Sequence, residues 1–219
     1  MKKKKRTGPG RPEGESFARD KILKAAEMVF AEHGYAGTSL REIVKRAHVT
    51  QALVTYYFGS KEALFKEVFL RRGREIAGRR LAALEALRAR GKPFSLEEVI
   101  AAYLRPALEM RRTREGRAFI RLQSRMHTEP PRFAHRLRRE VYDDAVREYL
   151  EAIRKTAPHL SAQTAYWRMV LVIGAYLYAH SDSHRLEEMS AGVCKAEDVD
   201  EMLRQITAFV VGGLMAPDA

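Results

Sequence analysis

The chain contains one cysteine, Cys194, and one tryptophan, Trp167, among 219 residues. A lone thiol excludes an intrachain disulfide framework and any zinc site built only of cysteines. It fits a reducing compartment, so a cytoplasmic location is expected. Long apolar runs are also missing. The longest, Met169 to Ala179, falls short of the roughly 20 residues that cross a bilayer, and no membrane partner is expected. The N-terminus reads Met1-Lys2-Lys3-Lys4-Lys5-Arg6 and then Thr7-Gly8-Pro9-Gly10-Arg11-Pro12, without the apolar stretch of a signal peptide. No segment alternates with period two, and neither a phosphate-cradling glycine loop nor a Gly-x-Ser-x-Gly elbow occurs. The chain therefore reads as all-α and not as an enzyme, with no cofactor expected. Acidic residues are in deficit: 40 Lys+Arg stand against 28 Asp+Glu, a formal charge of +12. A soluble chain this basic is expected to meet a polyanion.

The excess is uneven. Residues 1–75 carry 17 Lys+Arg and 9 Asp+Glu, which is +8 of the +12. That concentration suggests a small N-terminal module facing the polyanion and a larger remainder with another task. Residues 1–16 read as a basic disordered arm, 17–65 as a compact helical module and 66–219 as a second helical domain. Within the arm, Gly10-Arg11-Pro12 has the extended form that lays an arginine into a narrow minor groove. A solvated tail acting only through phosphate attraction is the simpler reading of the same residues.

About nine helices are expected. Ile22, Ala26, Val29 and Phe30 form one stripe at helical spacing, and Gly34 follows as a C-terminal stop. Ser39 with Glu42 has capping-box spacing, and Leu40, Ile43, Val44 and Ala47 continue as a short helix. His48-Val49 makes a turn, Thr50 caps a third helix from Gln51 to Phe58, and Gly59 ends it. Ser60 caps a fourth, with Gly73 and Gly78 as weak points along it. Further helices are expected from Ser95 to about Arg112, Glu115 to His127, Phe133 to Thr156, 161 to 182 and 197 to 214.

Two short helices joined by a tight turn, with small and hydrogen-bonding residues opening the second, form a helix-turn-helix. The second helix must present its first turn to base edges in a major groove about 12 Å wide. With Val49 and Val54 packed inward, Gln51, Ala52 and Thr55 face outward. Glutamine can pair bidentately with adenine, and Ala52 or the Thr55 methyl can touch a thymine methyl. Thr38, Thr50, Tyr56, Tyr57 and Lys61 offer hydroxyls or charge at phosphate height.

Thr38-Ser39-Leu40-Arg41-Glu42-Ile43, Ala47-His48-Val49-Thr50 and Tyr56-Tyr57-Phe58-Gly59-Ser60-Lys61-Glu62-Ala63-Leu64 resemble the DNA-binding domain of the TetR family over residues 17–65. The resemblance implies a homodimeric transcription factor, most often a repressor. Its C-terminal helices would bind a small molecule that releases a palindromic double-stranded DNA operator. On matching positions, Gln51, Ala52 and Thr55 read bases, and Thr38, Thr50, Tyr56, Tyr57 and Lys61 grip backbone. His48 departs from the family, which usually places glycine in this turn. His tolerates φ > 0 better than most residues.

The segment 161–182 is apolar on more than one side, so it must be covered twice. Tyr166, Met169, Ile173, Tyr176 and Leu177, with Phe209, Val210 and Leu214 from the last helix, are expected at an isologous dimer interface, the plain alternative being the central core helix of a monomer. The C-terminal part also resembles the PsrA-type fatty-acid-responsive branch. The carrying residues are Arg121-Leu122 before Glu129-Pro130, Ala157-Pro158-His159-Leu160, and Trp167-Arg168 before Gly174-Ala175. That resemblance implies an apolar pocket for a small hydrophobic, anionic effector such as a fatty acid or acyl-CoA. Met110, Phe119, Leu122, Met126, Trp167, Val170, Leu171 and Gly174 are expected to line it, with Arg121 or Arg125 at the head group. Ordinary core is the plain alternative for the apolar residues, and pairing with Glu109, Glu115 or Glu140 for the arginines. His180 and His184 stand at i, i+4 with Asp182 between them, but no third ligand is marked and no metal site is expected. Cys194 has no partner base nearby. The alternative function is a ligand-independent architectural DNA-binding protein.

Overall fold

Serine and threonine caps set where these helices begin. In the computed structural model, which describes residues 13–126, 131–181 and 184–218, Ser39, Thr50, Ser60, Ser95, Thr113 and Ser161 each accept a hydrogen bond from the backbone N–H three residues on. Each bond satisfies one of the donors that a helix start leaves open. At Ser95 the bond is reciprocal, Glu98 accepting from Ser95 N at 2.8 Å. At Ser39 it is not. Glu42 turns instead to His33 Nε2 at 2.9 Å.

Ten α-helices and no strand occur among the described residues. They are α1 (Glu13–Gly37), α2 (Leu40–Ala47), α3 (Gln51–Phe58), α4 (Lys61–Ala89), α5 (Leu96–Leu108), α6 (Arg114–Arg125), α7 (Pro131–Thr156), α8 (Ala162–Ala179), α9 (Arg185–Met189) and α10 (Val199–Met215). A 3₁₀ turn, Glu109–Arg112, joins α5 to α6. The expected stop at Gly34 appears as a kink, with φ 71°, a left-handed value that glycine adopts without a Cβ clash. His48 caps α2 at φ 52°, ψ 50°, in the left-handed geometry expected of that turn.

The three N-terminal helices pack around Ile22, Ala26, Phe30, Ile43, Ala47, Val54, Phe58, Leu64 and Phe65, all buried. Phe30 and Phe65 meet edge-to-face at 4.9 Å. The boundary expected at residue 65 falls inside α4, which runs unbroken from this head into the rest of the protein. It passes Gly73 because α7 crosses there: a Cβ on Gly73 would stand 2.6 Å from Val141 Cγ1. The head is fastened a second way, by α1 lying along α6. Ion pairs Arg72–Glu27 at 2.8 Å and Arg71–Asp20 at 2.9 Å tie α4 to α1, as does Arg19–Glu67.

In the larger part α4, α5 and α7 pack together, with α8 and α10 against them. Arg168 of α8 donates to the carbonyls of Leu214 at 3.1 Å and Ala216 at 2.7 Å, closing the end of α10. This fixes the two helices side by side. The arm residues 1–12, including Gly10-Arg11-Pro12, and Asp182 lie outside the described residues.

Candidate functional site

Besides the exposed face of the N-terminal head, the larger part holds a cleft of about 740 Å³ between the end of α8, α9 and α10 and a smaller cavity behind α8 that holds a buried charge. On the head, Val54 and Phe58 are buried, which rotates Gln51, Ala52, Thr55 and Tyr56 of α3 to the outside. The geometry is that of a helix whose first turn is free to enter a groove. Thr50 Oγ1 accepts from Leu53 N at 3.3 Å, and its own O–H remains a donor. Arg41, Lys45 and Thr50 are exposed beside it, with His48 in the turn between the two helices. Tyr56 and Tyr57 meet edge-to-face at 5.1 Å, Tyr56 outermost and Tyr57 half-buried.

Two expected phosphate contacts have other employment. Thr38 is buried, and its hydroxyl donates to Gly34 O at 2.7 Å. Lys61 Nζ donates to Tyr35 O at 2.8 Å and Thr38 O at 2.9 Å, and sits 4.5 Å from the Tyr35 ring centroid. Both residues lock the turn between α1 and α2. The physical reason is local. The turn leaves its carbonyls without helical partners, and a lysine at the start of α4 satisfies two of them.

The cavity, of about 220 Å³, opens between α4, α5, α6, α7 and α8 and is lined by Phe69, Arg80, Tyr103, Gln123, Met126, Arg138, Tyr142, Asp143, Val146, Ile173, Tyr176 and Leu177. Arg80 is its most unusual member, a guanidinium only 1% exposed. Its Nε donates to Tyr103 O at 2.8 Å, its plane lies 3.8 Å from the Tyr103 ring centroid, and Tyr176 is at 5.3 Å. Among the described residues no carboxylate pairs with it, and Nη2 has no hydrogen-bond partner. A desolvated cation–π contact contributes about 2 kcal/mol, less than the several kcal/mol that burying an ion costs. Across the cavity Gln123 Nε2 donates to Tyr142 Oη at 3.0 Å, leaving Gln123 Oε1 unpaired. Burial pushes the Tyr103 and Tyr142 phenols well above their ordinary range, so both remain O–H donors.

Of the ten side chains expected in a pocket, only Met126 lines this cavity. Met110, Phe119 and Leu122 are core, Phe119 backing Phe69 at 5.6 Å. Trp167, Val170, Leu171 and Gly174 lie on the outer face of α8, Trp167 at 67% exposure. Neither Arg121 nor Arg125 reaches the cavity, and both have partners elsewhere. The expected interface residues divide as well. Tyr166 and Phe209 are exposed, whereas Met169, Tyr176, Val210 and Leu214 are buried within the protomer, and Ile173 and Leu177 line the cavity. A helix apolar on every side gives no periodicity from which to choose its inner face.

Arg80 was not anticipated, although a signal exists. Phe65, Phe69, Gly73, Ile76 and Leu84 form the buried stripe of α4, and Arg80 stands in register with them. A charge in a core register marks a buried site. No cluster of three or more metal-ligating side chains occurs among the described residues. The His180 ring is fully buried while His184 is exposed.

Residues 22–68 match the family model described as "Bacterial regulatory proteins, tetR family", and residues 101–213 match "Tetracyclin repressor-like, C-terminal domain". The chain belongs to the TetR family of DNA-binding transcriptional regulators. Its relatives include the HTH-type transcriptional regulator RutR of Escherichia coli (strain K12), 38% identical over 91 residues, which are 42% of this chain and 40% of RutR. The HTH-type transcriptional repressor NicS of Pseudomonas putida is 46% identical over 50 residues, 23% of this chain and 24% of NicS. The chain thus spans well under half the length of the curated relatives it matches. Among solved structures, the fatty acid degradation regulator FadR from Bacillus halodurans has a TM-score of 0.65 at 17% identity, covering 96% of this chain and 98% of its own. The TetR-family regulator PfmR from Thermus thermophilus has 0.61 at 17% identity, covering 87% and 97%. These likenesses establish the TetR fold over nearly the whole length. No described helix is long and apolar enough to cross a membrane.

Proposed function

We propose that this TetR-family protein is a one-component repressor that binds a palindromic operator as a homodimer and is released by a small hydrophobic anion. The carrying observation is the free first turn of α3, with Gln51, Ala52 and Thr55 outward above the buried Val54 and Phe58. Gln51 reads adenine, Ala52 and Thr55 touch a neighbouring thymine, and Thr50, Tyr56 and Tyr57 hold phosphates with the α3 N-terminus. Thr38 and Lys61 contribute by holding the turn that aims α2.

Homodimer formation is supported by the outer face of α8 and α10. Tyr166, Trp167, Val170, Leu171 and Tyr178 are exposed beside Phe209 and Met215. An apolar surface of this kind marks an interaction site. A second copy would pair α8 and α10 into a four-helix contact, setting two α3 helices about one DNA turn apart, roughly 34–36 Å.

Release is supported by continuity. Arg80 on α4 and Gln123 on α6 both line the cavity, and both helices pack against the head. A ligand that draws them together would move the heads, and a few ångströms suffice to lose the second half-site. Of the tails that the C-terminal resemblance allows, the cavity favours a compact one. Its 220 Å³ is not far above the roughly 150 Å³ that houses a benzene, and a long acyl chain requires it to widen.

Fluorescence anisotropy with the DNA upstream of the protein's own gene, at fixed salt, tests the reading. Gln51→Ala is expected to cost about 1–3 kcal/mol on the operator and nothing on random DNA. Tyr56→Phe is expected to weaken both alike. Equal affinity of the unaltered protein for random DNA and for every upstream fragment would favour an architectural DNA-binding role.

A further inference from the structure

We infer that the cavity is a receptor for a compact aromatic monocarboxylate, its carboxylate on Arg80 and a polar ring substituent on Gln123. The inference rests on the effector reading above and names the chemistry of that same site. Charge comes first. Arg80 remains protonated at any physiological pH, and the hydroxyl-bearing rings of Tyr103, Tyr142 and Tyr176 surround it. The unpaired Nη2, on a buried cation that no described carboxylate neutralises, therefore asks for one negative charge, and a planar carboxylate matches the guanidinium fork.

Shape comes second. Phe69, Tyr103, Tyr142 and Tyr176 supply aromatic walls, with Val146, Ile173 and Leu177 between them, so the body of the ligand is apolar and suited to ring-edge contacts. The volume admits one substituted ring and not a coenzyme thioester. Polarity comes third. The Gln123 amide has one end on Tyr142 Oη and the other unpaired, which a hydroxyl or N–H on the ring would satisfy. Tyr142 Oη, accepting from Gln123, keeps its own hydrogen free for the ligand. Arg138, half-buried, and the exposed Asp143 also line the cavity. Arg80, the one fully buried cation among the described lining residues, thus selects a monoanion, carboxylate first.

Calorimetric titration of the full chain with benzoate, phenylacetate, the three hydroxybenzoates, benzamide and palmitoyl-CoA tests this. At least one of the five acids is expected to bind one per protomer, a hydroxybenzoate more tightly than benzoate. Benzamide should bind at least about thirty-fold more weakly than benzoate, as loss of a buried charged contact implies. Arg80→Gln should abolish acid binding, and Gln123→Leu should remove the preference for the hydroxyl. If Arg80→Gln does not fold, the acid–amide comparison on the unaltered protein and Gln123→Leu decide. Equal binding of benzamide, full affinity in folded Arg80→Gln, or failure of all five acids to bind, with or without palmitoyl-CoA binding, overturns the assignment. Operator release is measured separately. An acid that binds through Arg80 without altering DNA affinity sustains this inference and sinks the effector reading.

Discussion

Burial without a partner costs an ionisable group far more in its charged form than in its neutral one, and histidine needs only a small pH rise to become neutral. His180 closes α8 with both ring nitrogens lacking hydrogen-bond partners, 5.3 Å from the Tyr176 ring. Burial, with the Arg111 and Arg80 charges, pulls it down from 6.5 to about 3. The folded pKa lies below the unfolded one, so its contribution is complete above pH 6.5 and is lost as pH falls toward 3. At pH 5 the loss is about 2 kcal/mol. Thermal unfolding at pH 7 and pH 5 should show this, and His180→Leu should flatten the difference. An unchanged slope in that variant would place the acid sensitivity elsewhere. Glu27 is the other buried ionisable group with a clear consequence. It is 2% exposed and pairs with Arg72 at 2.8 Å, and burial pushes its carboxyl up against that pull. Arg72→Ala should destabilise by about 3 kcal/mol through the carboxylate left behind, readable in urea denaturation.

At the scale of elements, α4 carries the most. It leaves the head at Phe65, passes under α7 at Gly73 and delivers Arg80 to the cavity. Gly73→Ala should cost about 1–3 kcal/mol, because its Cβ would collide with Val141 and push α7 away. If the variant melts like the parent, α7 yields more easily than the packing suggests. Helix starts were legible in the residues because caps act locally: Ser39, Thr50, Ser60 and Ser95 each sit where a helix begins. The recognition face was legible for a related reason. Val54 and Phe58 form a narrow stripe, and whatever is opposite it must be outside. On α8 that logic had nothing to act on, since Trp167, Met169, Val170, Leu171 and Val172 are all apolar and only the packing of α7 and of α10, pinned by Arg168, decides which are covered.

At the scale of the whole molecule, the exposed face of α8 and α10 and the cavity behind α8 lie on opposite sides of one helix. Ile173, Tyr176 and Leu177 look into the cavity while Trp167, Leu171 and Tyr178 look out. The proposed dimer face and the proposed ligand site thus share an element, and occupancy of one would be felt at the other. Leu171→Glu with Phe209→Glu should shift the protein from dimer to monomer in analytical ultracentrifugation and abolish cooperative operator binding, while Arg80 still takes its ligand. A double variant that sediments as the parent does would move the interface to another face.

The residues by themselves determined an all-helical chain, a basic reading head and the side of α3 that faces outward. Those properties follow from local periodicity, capping and charge, which act within a few turns. Tertiary structure alone decided that Lys61 and Thr38 serve the α1–α2 turn, that Arg80 is the buried cation, and which side of α8 is inside. Apart from the Thr38 bond to Gly34, four residues back, each of these depends on groups brought together from distant parts of the chain. Arg80 and Tyr149 meet across 69 positions through a 2.8 Å bond from Tyr149 Oη to the Arg80 carbonyl, a separation that no helical period encodes.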